Sequence, residues 1–206
     1  TIGSVGRPLD SIEVKIGEDD EVLLKGPTIT KGYYHRDAAN KEAFTEDGFF
    51  RTGDAGYIKD GELFLTDRIK DLFKTSNGKY IAPQLVESLI LVDKYIDQVA
   101  VIANERKFVS ALIVPEFRLV EDWAKEHGIE FSSREDLCAN PKVNKMILDR
   151  VKTLQQQLAH YEQVKRITLI PHHFSLESGE LTNTLKIRRP VVYKNYKNEI
   201  DKMYEE

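Results

Sequence analysis

Two stretches far apart in the chain carry residue types suited to a nucleotide and its phosphates. One is Arg51-Thr52-Gly53-Asp54, followed by Thr66-Asp67-Arg68-Ile69-Lys70-Asp71; the other is Leu181-Thr182-Asn183-Thr184-Leu185-Lys186-Ile187-Arg188-Arg189. Asp54 follows a glycine, which permits a sharp turn and lets the carboxylate project from a fixed backbone. An ionised carboxylate accepts hydrogen bonds and can hold the two hydroxyls of a ribose. Taken alone, the tripeptide reads as an ordinary turn acid. The Arg68 guanidinium offers a fork to ribose or phosphate oxygens, or a surface ion pair to Asp67 or Asp71. Lys186 is a compact cation able to stabilise charge moving onto an α-phosphate and a leaving pyrophosphate. Without context, Lys186 to Arg189 is a solvated basic run. Gly78, in Lys74-Thr75-Ser76-Asn77-Gly78-Lys79-Tyr80, either lets backbone approach a ligand closely or marks a plain surface turn.

Other candidates carry less chemistry. His172-His173 points apart in an extended segment, with no Cys or acid cluster beside it, so no metal ligand is assigned. Trp123 with Leu119 and Val120 reads as core. The single cysteine, Cys138, makes neither an internal disulfide nor a thiol metal cluster and fits a reducing compartment. The net charge of −4 over 206 residues argues against a general nucleic-acid binder. No apolar run approaches the ~20 residues that span a bilayer, and no signal peptide is visible. The chain opens Thr1-Ile2-Gly3 without Met, as a piece of a longer protein would.

The elements that must position these residues fall into two patterns. Residues 1–69 read as short strands joined by turns, with Ser11 to Ile16 alternating, Glu21 to Lys25 returning, and a short helix around Ala38 to Phe44. Asp60-Gly61 between Gly56–Lys59 and Glu62–Leu65 is a tight-hairpin signal. After Lys70 helices and strands alternate. Pro83 starts a helix whose apolar face comprises Leu85, Val86, Leu89, Ile90, Val92 and Ile96. Val99 to Ile102 and Val109 to Val114 form a hairpin, and a helix through Leu119 to Ala124 ends near Gly128. Asn140-Pro141 caps a helix whose 3.6 period runs through Ile147, Val151, Leu154, Leu158 and Tyr161. Arg166 to Ile170 is a strand and Pro190 to Tyr204 a final helix. The fold class is therefore α+β: a small β-rich subdomain, then a compact α+β domain with a small sheet flanked by helices.

Asp47-Gly48-Phe49-Phe50-Arg51-Thr52-Gly53-Asp54, the Arg68 segment and the late lysine motif, in this order, resemble the adenylate-forming ligases. That superfamily comprises acyl-CoA synthetases, amino-acid adenylation domains and luciferase-like enzymes. Gly26-Pro27-Thr28-Ile29-Thr30-Lys31-Gly32-Tyr33-Tyr34 shares the resemblance but receives no chemistry. The long segment from Phe117 to Tyr161 is most like the long-chain fatty acid–CoA ligases. The resemblance spans essentially the whole chain, and only the C-terminal part of such an enzyme.

The resemblance implies that residues 1–69 are the β-rich end of an N-terminal adenylation domain and 70–206 a mobile C-terminal domain, with its hinge at Lys70. It implies ATP, CoA and Mg2+ as cofactors, with no metal ligand identifiable in this chain, and a fatty acid as substrate. Asp54 and Arg68 would contact ATP or AMP, Lys186 would be catalytic in adenylate formation, and the Gly78 loop would face the pantetheine arm of CoA. Relatives carry aspartate or lysine at the hinge. Leu185 replaces the glycine of the late motif, and only Glu87 matches the two acids often found on the following helix. The phosphate loop and acyl pocket would lie in the missing domain, so the chain alone is expected to be inactive. Two other readings stand: a sibling ligase for another carboxylic acid, and a non-catalytic binding module of the same fold. The expected location is cytoplasmic or peripheral at the cytoplasmic membrane face, without nucleic-acid partners.

Overall fold

The computed structural model describes Thr1 and residues 3–205. The chain divides into two compact units, one ending at Leu72 and one beginning at Phe73.

In the first unit β1 (Glu13–Ile16), β2 (Glu21–Lys25), β3 (Phe50–Lys59) and β4 (Glu62–Arg68) form one antiparallel sheet in chain order; α1 (Asp37–Ala43) lies between β2 and β3. The β3–β4 hairpin turns at Asp60 and Gly61, with φ 53° and 77°. Both central residues being left-handed matches the twist of the flanking strands. The core of this unit is small: Val22, Leu23, Phe49 and Ala55 are its buried hydrophobics among the described residues.

The second unit starts with the two-residue strands β5 (Phe73–Lys74) and β6 (Tyr80–Ile81), then α2 (Pro83–Ile90). Its main sheet is ordered β7 (Ile96–Ile102), β8 (Val109–Pro115), β9 (Val164–Leu169). β7 and β8 pair antiparallel; β8 and β9 pair parallel. A parallel pair needs a crossover, here made by α3 (Phe117–Glu126), α4 (Arg134–Ala139) and α5 (Pro141–Leu154). Every residue of β8 is buried, and the strand is apolar except for Ser110, whose hydroxyl pairs with that of Tyr204 at 2.7 Å. α6 (Arg189–Asn195) and α7 (Lys197–Lys202) follow.

Three local expectations are corrected, and one helix is added. α2 stops at Ile90; Val92 is exposed and Ile96 opens β7, so neither belongs to the helical face. α5 stops at Leu154, leaving Leu158 and Tyr161 beyond it. The final helix is two short ones, broken at Tyr196 with φ −109° and ψ 27°. α4 was not anticipated; the Ser133 hydroxyl caps it by accepting from the Asp136 N–H. The Asn140 side chain caps α5 by accepting from the Lys142 N–H, as the Asn-Pro pair predicts.

Candidate functional site

Asp54 sits on a bulge within continuous strand, where a turn was expected. Glu21 pairs with Ala55 and Leu23 with Arg51, so Thr52-Gly53-Asp54 on β3 faces Val22 alone, two residues more than a regular ladder holds. Gly53 takes φ 71°, the left-handed conformation that such surplus requires. The Thr52 hydroxyl donates to the Val22 carbonyl (2.7 Å) and accepts from the Asp54 N–H (3.1 Å). Glu21 accepts from the Gly53 N–H (3.2 Å) and from Arg51 Nη1 (2.8 Å). These bonds fix the backbone under the Asp54 carboxylate.

Across the ladder Asp54 pairs with Arg68, and Arg68 Nε lies 3.4 Å from Asp54 Oδ1. The arginine's partner is thus the other candidate nucleotide residue rather than Asp67 or Asp71. Asp67 instead accepts from the Arg68 N–H at 2.8 Å. The Arg68 side chain is 74% exposed and Asp54 33%. Such a solvated ion pair is worth little by itself, so both groups can exchange one another for ligand oxygens at small cost. Lys70 is exposed in a 3-10 turn, Ile69–Asp71, at the end of the first unit.

In the second unit, Gly78 lies in the turn between β5 and β6, with φ 74°. The Thr75 hydroxyl accepts from the Lys79 N–H, and the Thr75 N–H donates to the Lys79 carbonyl. The loop is braced on the β7–β8 hairpin: the Ser76 N–H donates to the Arg106 carbonyl (3.0 Å) and the Glu105 N–H to that of Lys74 (2.8 Å). A Cβ on Gly78 would meet nothing within 4 Å, so backbone conformation, not crowding, demands glycine there.

Lys186 stands at the end of a tight hairpin closed by the bridge between Leu181 and Ile187. The Lys186 N–H donates to Thr182 Oγ1 (3.0 Å), and its carbonyl accepts from the Thr182 N–H (2.8 Å). Leu185 takes φ 59° at the turn. The Lys186 side chain is exposed, and among the described residues its ammonium makes no ion pair.

Arg189 departs from the expected solvated basic run. Its Nη1 and Nη2 donate to Glu87 Oε1 and Oε2 at 2.7 and 2.9 Å, and its side chain is only 18% exposed. Glu87 Oε1 also accepts from the Val101 N–H at 2.9 Å. The signal for this pair was present on α2: Glu87 lies on the buried face with Pro83, Val86 and Ile90. An acid on an apolar helical stripe requires a cation to meet it.

Among the described residues no group of three or more His, Cys, Asp or Glu could hold a metal ion. His172 lies near Glu135 and His173 near Asp97, so the two rings do point to different partners. Trp123 packs against the core and stacks on His127. Cys138 is buried, and burial pushes its thiol up to about 12, which leaves it inert.

This bulged acid, the following domain and the late lysine hairpin define a class. The family model described as "AMP-binding enzyme C-terminal domain" matches residues 70–206, and the chain belongs to that family. It is 35% identical to human long-chain-fatty-acid–CoA ligase 1 over 99% of this chain and 31% of the relative. It is 33% identical to long-chain-fatty-acid–CoA ligase FadD15 of Mycobacterium tuberculosis over 98% of this chain and 34% of the relative. The same identity, over 99% and 32%, relates it to the peroxisomal long chain acyl-CoA synthetase 7 of Arabidopsis thaliana. The chain thus spans about a third of the length of these relatives. Among solved structures it resembles the A-PCP didomain of a Segniliparus rugosus carboxylic acid reductase in complex with AMP. That match has a TM-score of 0.65 at 25% identity, over 89% of this chain and 24% of that one. It also resembles Bacillus subtilis O-succinylbenzoate coenzyme A synthetase in complex with AMP, with a TM-score of 0.58 at 26% identity over 92% and 35%. Among the described residues no helix is long and apolar enough to cross a membrane.

Proposed function

We propose that this chain is the C-terminal part of an ATP-dependent long-chain fatty acid–CoA ligase, completing an active site with a larger N-terminal domain. The observation that carries this reading is the 33–35% identity to long-chain ligases from human, bacterial and plant sources across 98–99% of the chain. In the first step a fatty acid carboxylate oxygen attacks the α-phosphorus of ATP and pyrophosphate leaves. In the second the CoA thiol sulfur attacks the acyl carbon and AMP leaves.

Asp54 accepts from the ribose hydroxyls, and Arg68 turns its guanidinium from Asp54 to ribose or phosphate oxygens. Lys186, presented on its hairpin, stabilises the charge that accumulates as pyrophosphate departs. The Gly78 loop faces the pantetheine arm in the second step, and rotation at Lys70 exchanges the two faces. A solved relative is described with ATP and a magnesium ion. We assign Mg2+ no ligand in this chain, because the described residues offer no converging set. The enzyme works in the cytoplasm or peripherally at a membrane's cytoplasmic face.

The test is an acid panel on the complete enzyme, reading pyrophosphate release and thioester formation. Long-chain fatty acids are expected to give the highest kcat/KM. Preference for an aryl or amino acid would make it a sibling ligase. ATP binding without pyrophosphate release from any acid would make it a binding module.

A further inference from the structure

Lys186 reaches its target from a short hairpin, so something must hold that hairpin against the rest of the second unit. Three residues later in the chain, Arg189 is the first residue of α6. Its guanidinium meets Glu87 with two parallel bonds, 2.7 and 2.9 Å, across 102 residues of sequence. Glu87 is buried on α2, which begins just after the Gly78 loop. The same carboxylate accepts from the N–H of Val101, on edge strand β7. The guanidinium also lies over the Phe73 ring, 5.1 Å from its centroid, and Phe73 belongs to β5, which leads into the Gly78 loop. The other leg of the hairpin is held too: the Arg188 N–H donates to the Glu180 carbonyl (2.7 Å), and buried Glu180 accepts from Asn195 of α6 (3.0 Å).

We propose that the Glu87–Arg189 pair is a positioning clamp that sets Lys186 for adenylate formation. This rests on the ligase reading above. A bidentate fork fixes both distance and plane, which a single contact does not. The clamp joins the Lys186 hairpin to α2, β7 and β5, so the lysine and the Gly78 loop ride on one frame. Neither Glu87 nor Arg189 contacts the reacting atoms; both act through Lys186. Buried ion pairs contribute little net stability compared with apolar replacements, whereas their geometry is strict. Positioning accounts for such a pair better than stability does.

The test uses the complete ligase and the two half-reactions measured separately. Glu87→Gln keeps an oxygen for the Val101 N–H but turns an amide N–H2 toward Arg189, breaking the fork without uncapping the strand. Misplacement of a catalytic group by about an ångström costs up to roughly a hundredfold in rate. Glu87→Gln is therefore expected to lower kcat for pyrophosphate release roughly tenfold to a hundredfold, with KM for ATP nearly unchanged. Thioester formation from supplied acyl-adenylate should stay near wild type. Arg189→Lys, which keeps charge but loses the fork, should behave alike. In a Lys186→Ala background Glu87→Gln should add almost nothing, because the clamp acts only through the lysine. An equal loss in both backgrounds, or equal slowing of both half-reactions, overturns the proposal and makes the pair structural. Wild-type adenylation by Glu87→Gln overturns it as well. If Lys186→Ala itself leaves adenylation unchanged, the role assigned to the lysine fails first and the clamp falls with it.

Discussion

Leu185 carries a strain that its neighbours impose. It is 69% exposed and sits at φ 59°, between Thr182 and Lys186, which close the hairpin around it. Left-handed backbone is where glycine costs least. Leucine tolerates the conformation at a cost of about 1–2 kcal/mol, and a β-branched side chain tolerates it worse. Leu185→Ile should therefore destabilise the protein by about 1 kcal/mol, while Leu185→Gly should not destabilise it. Denaturant midpoints of the two variants check this. The reverse order would mean that the hairpin does not hold Leu185 left-handed. Little burial is lost at so exposed a position, so the comparison reads backbone alone.

At the scale of elements, two devices hold strands and turns without apolar contact. Thr45 and then Lys15 hydrogen-bond the Asp47 carboxylate in the turn before β3, at 2.6 and 3.0 Å, and hold it at about 2 against an ordinary 3.8. A depressed carboxylate stabilises the fold above its unfolded value and loses that contribution as pH falls through the folded one. The destabilisation caused by Asp47→Asn should thus be largest above pH ~4 and shrink between pH ~4 and ~2. Urea unfolding across that range tests it, and a pH-independent difference would contradict it. The second device is buried Gln155, which ends α5 and pairs with the backbone of Val164 as a strand neighbour would. Its Nε2 donates to the Val164 carbonyl (2.9 Å), and its Oε1 accepts from the Val164 N–H (2.8 Å). Gln155→Leu leaves two buried backbone groups unpaired and should cost roughly 2–4 kcal/mol. Calorimetric unfolding measures it, and a loss below ~0.5 kcal/mol would show that the strand start is held otherwise.

What was legible in the sequence was local. Asp60-Gly61 and Asn140-Pro141 announce a turn and a cap through a few adjacent residues, and both stand where expected. Val92 and Ile96 misled because an apolar period carried past Ile90 without a glycine or proline to stop it. Leu158 and Tyr161 extended α5 on paper for the same reason. The site was legible as residue types, not as contacts. Asp54 meets Arg68 because β4 carries an extra residue, Thr66, between the partners of Ala55 and Gly56, a register shift that residue counting cannot supply. Glu87 and Arg189 meet across the whole second unit, and only the burial of an acid on α2 hinted at it.

At the scale of the whole molecule, Asp54 and Arg68 belong to one compact unit, and Gly78 and Lys186 to the other. We propose that the second unit turns about Lys70, presenting the Lys186 hairpin for adenylate formation and the Gly78 loop for thioester formation. The chain alone, lacking the domain that would hold ATP and acid, should form no acyl-adenylate. ATP–pyrophosphate exchange by the purified chain would contradict that. This division of labour is measured directly by following both half-reactions in the complete enzyme for two variants. Lys186→Ala removes a preorganised cation, costing on the order of 3 kcal/mol, or roughly a hundredfold, in pyrophosphate release. It should largely spare thioester formation from supplied acyl-adenylate. Lys70→Pro fixes φ in the turn and restricts Ile69, so it should spare adenylation and slow the thioester step. Equal slowing of both steps by Lys186→Ala, or wild-type thioester formation by Lys70→Pro, would contradict the account.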